Sequence, residues 1–242
     1  VSPTLRWETV ATTNLGLDFS LLGNKLDVSF DVYSRDTKDM LTEVVYPSIL
    51  GTDAPKQNAA DLRTKGWELA ATWRSRINEN WDYSFALAFS DNISKITKYD
   101  NPPGALPNPS DANTEYYEGQ TIAERWGFVT QGIFQSEDEI AQAADQSQLG
   151  SNWRPGDIRY ADLNGDGIIS RGDNTLENPG DQKIIAYEAP RGNFGITGSV
   201  RWKNLSLSIF FQGVLKYDFW PPNDNWVAFY PYNAGHVENY YL

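Results

Sequence analysis

The residues best suited to chemistry form one acidic loop, DLNGDGIISRGD, at positions 162–173. Its spacing matches the calcium-loop pattern D-x-[DN]-x-[DN]-G, in which alternate side chains turn oxygen atoms towards one point. Position 12 of the loop is Asp where an EF-hand has Glu, and this shorter side chain reaches less far. A plain Asp/Asn/Gly turn is the alternative. The pattern predicts Ca²⁺ as the cofactor, with ligands from Asp162, Asn164, Asp166, the Ile168 carbonyl and Asp173.

Other kinds of chemistry find little support. The chain has no cysteine and a single histidine, His236, so neither a Ser/His/Asp triad nor a histidine-rich zinc site is supported. Among 32 Asp and Glu residues, no spacing singles out a pair for glycoside hydrolysis. The net charge of −12 opposes nucleic-acid binding, which requires a basic surface. The sequence therefore predicts a protein that is not an enzyme and binds no nucleic acid.

The elements around this loop are predicted to be β-strands with two different faces. In residues 193–212, NFGITGSVRWKNLSLSIFFQ, bulky apolar residues alternate with small or polar ones on both sides of a Lys203-Asn204 turn. A period of two predicts a β-hairpin. Small residues opposite a bulky apolar face are typical of a membrane barrel, whose strands meet lipid outside and a wet or plugged lumen inside.

Two further hairpins have the same pattern, over 15–32 and 67–89. The connections alternate between short turns near residues 23, 79 and 203 and long links at 40–63, 100–189 and beyond 217. Membrane barrels have short periplasmic turns, long external loops and aromatic girdles, and Trp73, Trp81 and Trp202 lie near the short turns. The sequence thus predicts an all-β fold, an antiparallel transmembrane β-barrel segment of about six strands with long extracellular loops.

The stretch 126–134, WGFVTQGIF, also looks like a strand, but a crossing there would reverse the direction of the next arm. We therefore predict that all of 100–189 is a large extracellular insertion with small structure of its own. Within it, 137–148 is predicted to form a short helix, with Ser136 as its cap and Glu139 at its third position.

Aromatic residues crowd the end of the chain among Pro and Asn. Their flat apolar faces could contact a substrate, contact a partner protein or pack internally, and the sequence leaves these three possibilities open. The predicted substrate or partner contacts are Tyr217, Trp220, Trp226 and Tyr230.

Three segments carry a resemblance to a known family. They are residues 5–41 (LRWETVATTNLGLDFSLLGNKLDVSFDVYSRDTKDML), 118–140 (EGQTIAERWGFVTQGIFQSEDEI), and 155–175 with 193–213 (PGDIRYADLNGDGIISRGDNT and NFGITGSVRWKNLSLSIFFQG). In this order they resemble the C-terminal part of SusC/RagA-family TonB-dependent transporters. The resemblance spans nearly the whole chain.

The resemblance implies that 1–242 is the C-terminal portion of a larger outer-membrane barrel of Bacteroidota, one with 22 strands and a plugged lumen. It implies nutrient import of an oligosaccharide or a peptide, energised by TonB, together with a SusD-like surface lipoprotein. The plug domain, the TonB box and the remaining strands are then expected outside these residues, because six arms alone do not obviously close a barrel.

The alternative interpretation is a soluble, calcium-stabilised β-sandwich that serves as a glycan-binding or adhesion module. The two interpretations differ in where the apolar side chains point. In a sandwich, Phe85 and Leu207 would lie in a core shared by two packed sheets. In a barrel they would face lipid, while Asp18, Asp31, Ser84 and Ser208 would face the lumen.

Overall fold

The structure, a computed structural model, describes residues 5–43, 56–100 and 116–219. These residues divide into two compact units. The sheet unit contains the described part of 1–102 together with 116–122 and 189–217. The insertion unit contains 123–188 and the described part of 218–242.

The sheet unit is one antiparallel sheet of six strands: β1 Thr9–Leu21, β2 Leu26–Glu43, β3 Lys56–Asn78, β4 Trp81–Tyr99, β9 Arg191–Trp202 and β10 Leu205–Lys216. They lie in the order β1-β2-β3-β4-β9-β10. The three predicted hairpins are confirmed, because each short turn joins neighbouring strands of this sheet.

The register gives this sheet one apolar face and one polar face. A single row of paired residues crosses five strands on the apolar face and contains Leu17, Phe30, Leu69, Phe89 and Phe194. Phe85 and Leu207, on the same face, are 47% and 58% exposed. They therefore lie in no core shared by two sheets, which is contrary to the β-sandwich interpretation.

Aromatic side chains organise both ends of the apolar face. Trp67 stacks on Phe89 with ring centroids 5.2 Å apart. At the turn end, Trp81 and Trp202 are register partners, and their ring centroids are 5.9 Å apart. Aromatic pairs at these separations are favourable beyond the area that they bury. Trp81 and Trp202 thus share one register row at the turn end, whereas Trp73 pairs with Phe85, four positions along β4 from Trp81.

The strands extend further from the short turns than the sequence analysis predicts. The predicted link 40–63 is wrong in extent, because β2 continues to Glu43 and β3 begins at Lys56. Bulges near Thr37 and Met40 let the ladder continue. The Arg63–Asp36 ion pair (2.5 Å) and the hydrogen bond from the Asn58 side chain to the Asp39 carbonyl stabilise this extension.

The insertion leaves the sheet close to its predicted limits. Strand β4 ends at Tyr99 and β9 begins at Arg191. The two strands pair directly, and an ion pair between Asp91 and Arg191 joins them across 100 residues of sequence. The boundary differs at 116–122, which belong to the sheet unit because Ile96 N–H donates to the Gln120 carbonyl and Ile122 N–H to that of Ser94.

The insertion unit contains two small two-stranded sheets and one helix. Strands β5 Glu124–Phe128 and β8 Gln182–Tyr187 pair, and so do β6 Thr130–Ile133 and β7 Ile158–Tyr160. The prediction that 126–134 lies outside the main sheet is confirmed. Helix α1 spans Glu137–Gln142 and is shorter than predicted. Within the described ranges, no helix has the length and apolar composition required to cross a membrane.

A tight contact in the sheet yields a stability prediction. A Cβ at Gly66 would lie 2.6 Å from the Tyr33 ring and 2.9 Å from the Asn92 Cβ. We expect Gly66→Ala to lower the free energy of unfolding of the full-length protein by about 1–3 kcal/mol, because overpacking forces neighbours to move. Tyr33→Ala in the same chain should recover part of this loss, as measured by denaturant titration.

Gly198→Ala is the matched control, because a Cβ at Gly198 meets nothing within 4 Å. The contact does not restrict this position if Gly66→Ala and Gly198→Ala lower the free energy of unfolding equally. The same conclusion follows if the loss caused by Tyr33→Ala simply adds to the loss caused by Gly66→Ala.

Candidate functional site

The polar face of the sheet has a floor of small side chains. One register row joins Ser29, Ala70, Ala88 and Gly195 across four strands. Phe210 stands on this face over Gly195 and is 60% exposed. The floor lies in a hollow of 470 Å³. Small residues leave space above the strands, so this face can accommodate other groups without a change in the backbone.

Ionic groups line the polar face near the short turns. Asp82 accepts hydrogen bonds from Arg76 Nε (2.6 Å) and Arg201 Nε (2.7 Å). Asp27 accepts one from the Ser20 hydroxyl (2.6 Å) and forms an ion pair with Arg74. These groups are largely exposed, so they form a hydrated, charged wall opposite the apolar face.

Carboxylates lie further from the turns on the same polar face. Asp31 and Glu68 are direct register partners on neighbouring strands. The Asn14 side-chain amide donates to Asp31 at 3.0 Å. Gly16 makes room for this carboxylate, because a Cβ there would lie 2.6 Å from Asp31 Oδ1. The predicted lumen residues Asp18, Asp31, Ser84 and Ser208 all belong to this polar face by strand alternation.

The first half of the acidic loop folds into one compact turn. Asp162 accepts hydrogen bonds from the backbone N–H groups of Gly165 (2.6 Å) and Gly167 (2.8 Å). Asn164 Oδ1 accepts from Asp166 N–H (3.0 Å), and Asp166 Oδ1 accepts from Ile168 N–H (2.7 Å). Gly165 and Gly167 adopt φ values of 78° and 83°, which glycine tolerates best. Three predicted ligands are therefore brought together.

The structure does not bring Asp173 to this turn. Its carboxylate accepts a hydrogen bond from the Asn178 side chain (2.9 Å), and its N–H donates to the Asn178 carbonyl (3.0 Å). Throughout the described ranges, no three His, Cys, Asp or Glu residues are grouped so that they could hold a metal ion. The donor chemistry at 162–168 still suits a hard cation, because each carboxylate or amide oxygen keeps a further lone pair.

Asp181, which the sequence pattern does not single out, holds the acidic loop in place. Its side chain is fully buried and accepts hydrogen bonds from the N–H groups of Leu163 (2.7 Å) and Ser170 (2.8 Å). One carboxylate thus fixes both ends of the turn. No local spacing predicts that Asp181 stabilises the loop, because this residue lies outside the calcium-loop pattern. Its role is recognisable only from its contacts in the folded structure.

The predicted aromatic contacts are described only in part. Tyr217 is 49% exposed at the end of the sheet unit. Trp220, Trp226 and Tyr230 lie outside the described residues.

Helix α1 has the predicted N-cap residue, Ser136. Ser136 accepts a hydrogen bond from Glu139 N–H (3.2 Å). The Glu139 carboxylate accepts from Gln135 N–H (2.7 Å), one residue earlier than a capping box requires, and from Arg159 (2.9 Å). The Gln135 N–H, and after it the Arg159 guanidinium, lower the pKa of Glu139 below its ordinary value of 4.5.

Comparison with known proteins covers most of the chain. Residues 1–210 match the family described as TonB dependent receptor-like, beta-barrel. TonB-dependent receptor P3 of Formosa agariphila is 31% identical over 216 residues, which are 86% of this chain and 20% of that protein. TonB-dependent receptor SusC of Bacteroides thetaiotaomicron is 26% identical over 225 residues, 89% of this chain and 20% of SusC.

Solved structures agree on the fold. The structure of the RagAB peptide transporter matches with a TM-score of 0.65 and 22% identity, over 88% of this chain and 21% of that chain. A second structure, RagAB in its "open-open" state, matches with a TM-score of 0.63. The chain spans about a fifth of the length of these relatives.

Acid should loosen the helix cap in the insertion unit. Because folding lowers the Glu139 pKa, the carboxylate stabilises the fold at pH values above its unfolded pKa, and this contribution is lost as pH falls through the folded value. We expect the protection factors of the amides at 135–142, which correct for the intrinsic pH dependence of exchange, to fall on acidification from pH 7 to below 4.5.

Glu139→Gln should remove most of this pH dependence, whereas Glu137→Gln, on the same helix, should leave it intact. Protection factors in the Glu139→Gln variant that fall as much with pH as those of the wild type would show that another group controls the cap.

Proposed function

Because the chain belongs to the TonB dependent receptor-like β-barrel family, we propose that it forms part of the wall of an outer-membrane nutrient importer. The family is one of transport barrels and not of enzymes. The observation that supports the proposal most strongly is the contrast between the two faces of the six-stranded sheet. One face exposes a continuous apolar surface, and the other is small, polar and charged.

The proposed placement follows from this contrast. The apolar face meets lipid, because lipid is the one environment in which so much exposed apolar surface is favourable. The polar face lines the lumen, where small side chains and ion pairs meet water or whatever fills the barrel. The protein is then a multi-pass barrel of the cell outer membrane, with the short turns on the periplasmic side and the long links outside.

The proposed cargo is an oligosaccharide or a peptide, taken up with the help of TonB and a SusD-like lipoprotein. Two likenesses support this: one relative is named SusC, and one solved structure with the same fold is described as a peptide transporter. In this proposal, 100–189 and 218–242 form the outer vestibule and the surface that meets the lipoprotein. Flat aromatic surface is costly in water unless a ligand or a partner covers it.

We also propose that the acidic loop binds Ca²⁺ through Asp162, Asn164, Asp166 and the Ile168 carbonyl. The hydrogen bonds within the turn support this, since they already orient these three side chains. Asp173 would have to release Asn178 to complete the site. A bound cation would be held by oxygen atoms of the loop. Asp181 fixes the same loop from the other side through hydrogen bonds to its backbone.

Import is tested in the native host with the full-length protein. We expect Trp220→Ala combined with Trp226→Ala to reduce uptake of the nutrient and co-purification of the lipoprotein, because the proposed contact surface would lose two large aromatic side chains. Barrel assembly, read from heat-modifiable migration on gels, should not change. Unchanged uptake together with unchanged association would assign these tryptophans to internal packing instead.

Calcium binding is tested by calorimetry on the full-length protein stripped of divalent ions. Wild type should bind Ca²⁺, and Asp166→Ala should weaken binding by at least about tenfold, because a charged ligand is removed. Asp138→Ala, which removes an acid from the first turn of α1, is the matched control. Absence of Ca²⁺ binding to the wild type would eliminate the site, and equal binding by Asp166→Ala would exclude this residue as a ligand.

A further inference from the structure

A band of basic residues borders the apolar face at the end away from the short turns. Arg63 and Lys65 follow Trp67 on alternate positions of β3, and Lys95 pairs with Arg63 across the β3–β4 ladder. The register is regular from these residues to the apolar row, so all three belong to the apolar face. The Arg63–Asp36 contact supports this placement, because Asp36 lies on the same face of β2. All three basic side chains are exposed.

The positive charge of this band is only partly neutralised. Arg63 and Lys95 lie directly opposite each other, an arrangement that is unfavourable for like charges. Asp36 neutralises Arg63, and Asp91, which lies diagonally across from Lys65 on β4, is engaged by Arg191. Further along the strands, Asp100 pairs with Lys98, and Asp61 accepts a hydrogen bond from Asp39 N–H. Among the described residues, neither Lys65 nor Lys95 forms an ion pair.

The band is confined to one part of the sheet. In the two register rows that contain Lys65 and Arg63, strand β1 contributes Thr13 and Ala11. On β9 and β10, the positions just beyond the apolar row are Gly192 and Leu215. If basic residues were a general property of a barrel rim, they would also occupy these positions on β1, β9 and β10. On β2, the exposed Lys38 lies two positions beyond Asp36 on the same face. The concentration of basic residues on β2, β3 and β4 instead indicates a local binding surface.

We propose that Arg63, Lys65 and Lys95 bind the phosphate groups of outer-leaflet lipid. The inference rests on the proposed placement of the apolar face in the membrane. Phosphates lie where the acyl region gives way to the head groups, and the band begins two residues beyond Trp67. Lysine stems can follow the apolar surface while their ammonium groups reach the phosphates, and the arginine fork suits a phosphate bidentately. The lipid anion removes the repulsion between Arg63 and Lys95.

The test uses the purified full-length protein in detergent, with phosphorylated lipid A and its dephosphorylated form as probes. Binding is measured by native mass spectrometry. Wild type should prefer the phosphorylated form by at least roughly tenfold, because each basic group near a lipid surface adds a favourable contribution. The triple variant Arg63→Gln, Lys65→Gln, Lys95→Gln should lose that preference.

A control triple variant removes the same charge from the insertion unit: Arg154→Gln, Arg171→Gln and Lys183→Gln, all at exposed positions. It should retain the preference. Equal binding of both probes by wild type, or an equal loss in both triple variants, overturns the proposal. If the first triple variant does not fold, Lys65→Gln with Lys95→Gln, which keeps the Arg63–Asp36 pair, should show a partial loss, and an unchanged preference contradicts the proposal.

Cell fractionation separates this inference from the proposed function. Wild type found outside the outer-membrane fraction would overturn the importer proposal itself. Wild type in that fraction, with normal nutrient uptake but no preference between the two lipids, would overturn the lipid site alone.

Discussion

The register of the antiparallel ladder is the constraint on which the rest of the structure depends. A slip of one residue in any strand would exchange its two faces, placing Phe85 among polar groups and Ser84 on the apolar side. The β4–β9 junction is the most demanding, since the chain leaves the sheet at Tyr99 and returns at Arg191. There the ladder from Trp81 to Ser90 and the Asp91–Arg191 ion pair fix the register without a turn to help.

The two faces of the sheet suit different environments. Aliphatic and aromatic residues cover one side, so their exposure is favourable only against an apolar environment. On the other side, small residues such as Ala88 and Gly195 open a hollow, and arginine–aspartate pairs near the turns hold charge in a hydrated setting. The insertion unit adds a different kind of order, because buried Asp181 and the cap of α1 fix its loops by hydrogen bonds to backbone groups.

Much of this arrangement can be predicted from sequence because strand alternation is a local signal. The strands on either side of Gly23, Asn80 and Lys203 can be predicted from their two-residue alternation and from the turn residues between them. The family is recognisable from several motifs. The strand extensions to Glu43 and from Lys56 are harder to predict, since they depend on bulges and cross-strand polar contacts. The pairing of 116–122 with β4 and the role of Asp181 depend on contacts between residues far apart in the loop or the chain, which no local pattern encodes. The position of Asp173 depends on its hydrogen bonds with Asn178, which lies outside the calcium-loop pattern.

The central claim is that one face of the sheet meets lipid and the other meets water. Because the chain has no cysteine, single cysteines can be introduced into it, and their labelling by a water-soluble maleimide can be measured with the full-length protein in lipid vesicles. Cysteines at Ser84, Ser199 and Ser208 should react, whereas those at Phe85, Val200 and Leu207 should be protected. Uniform labelling, or labelling with the opposite alternation, would contradict the account.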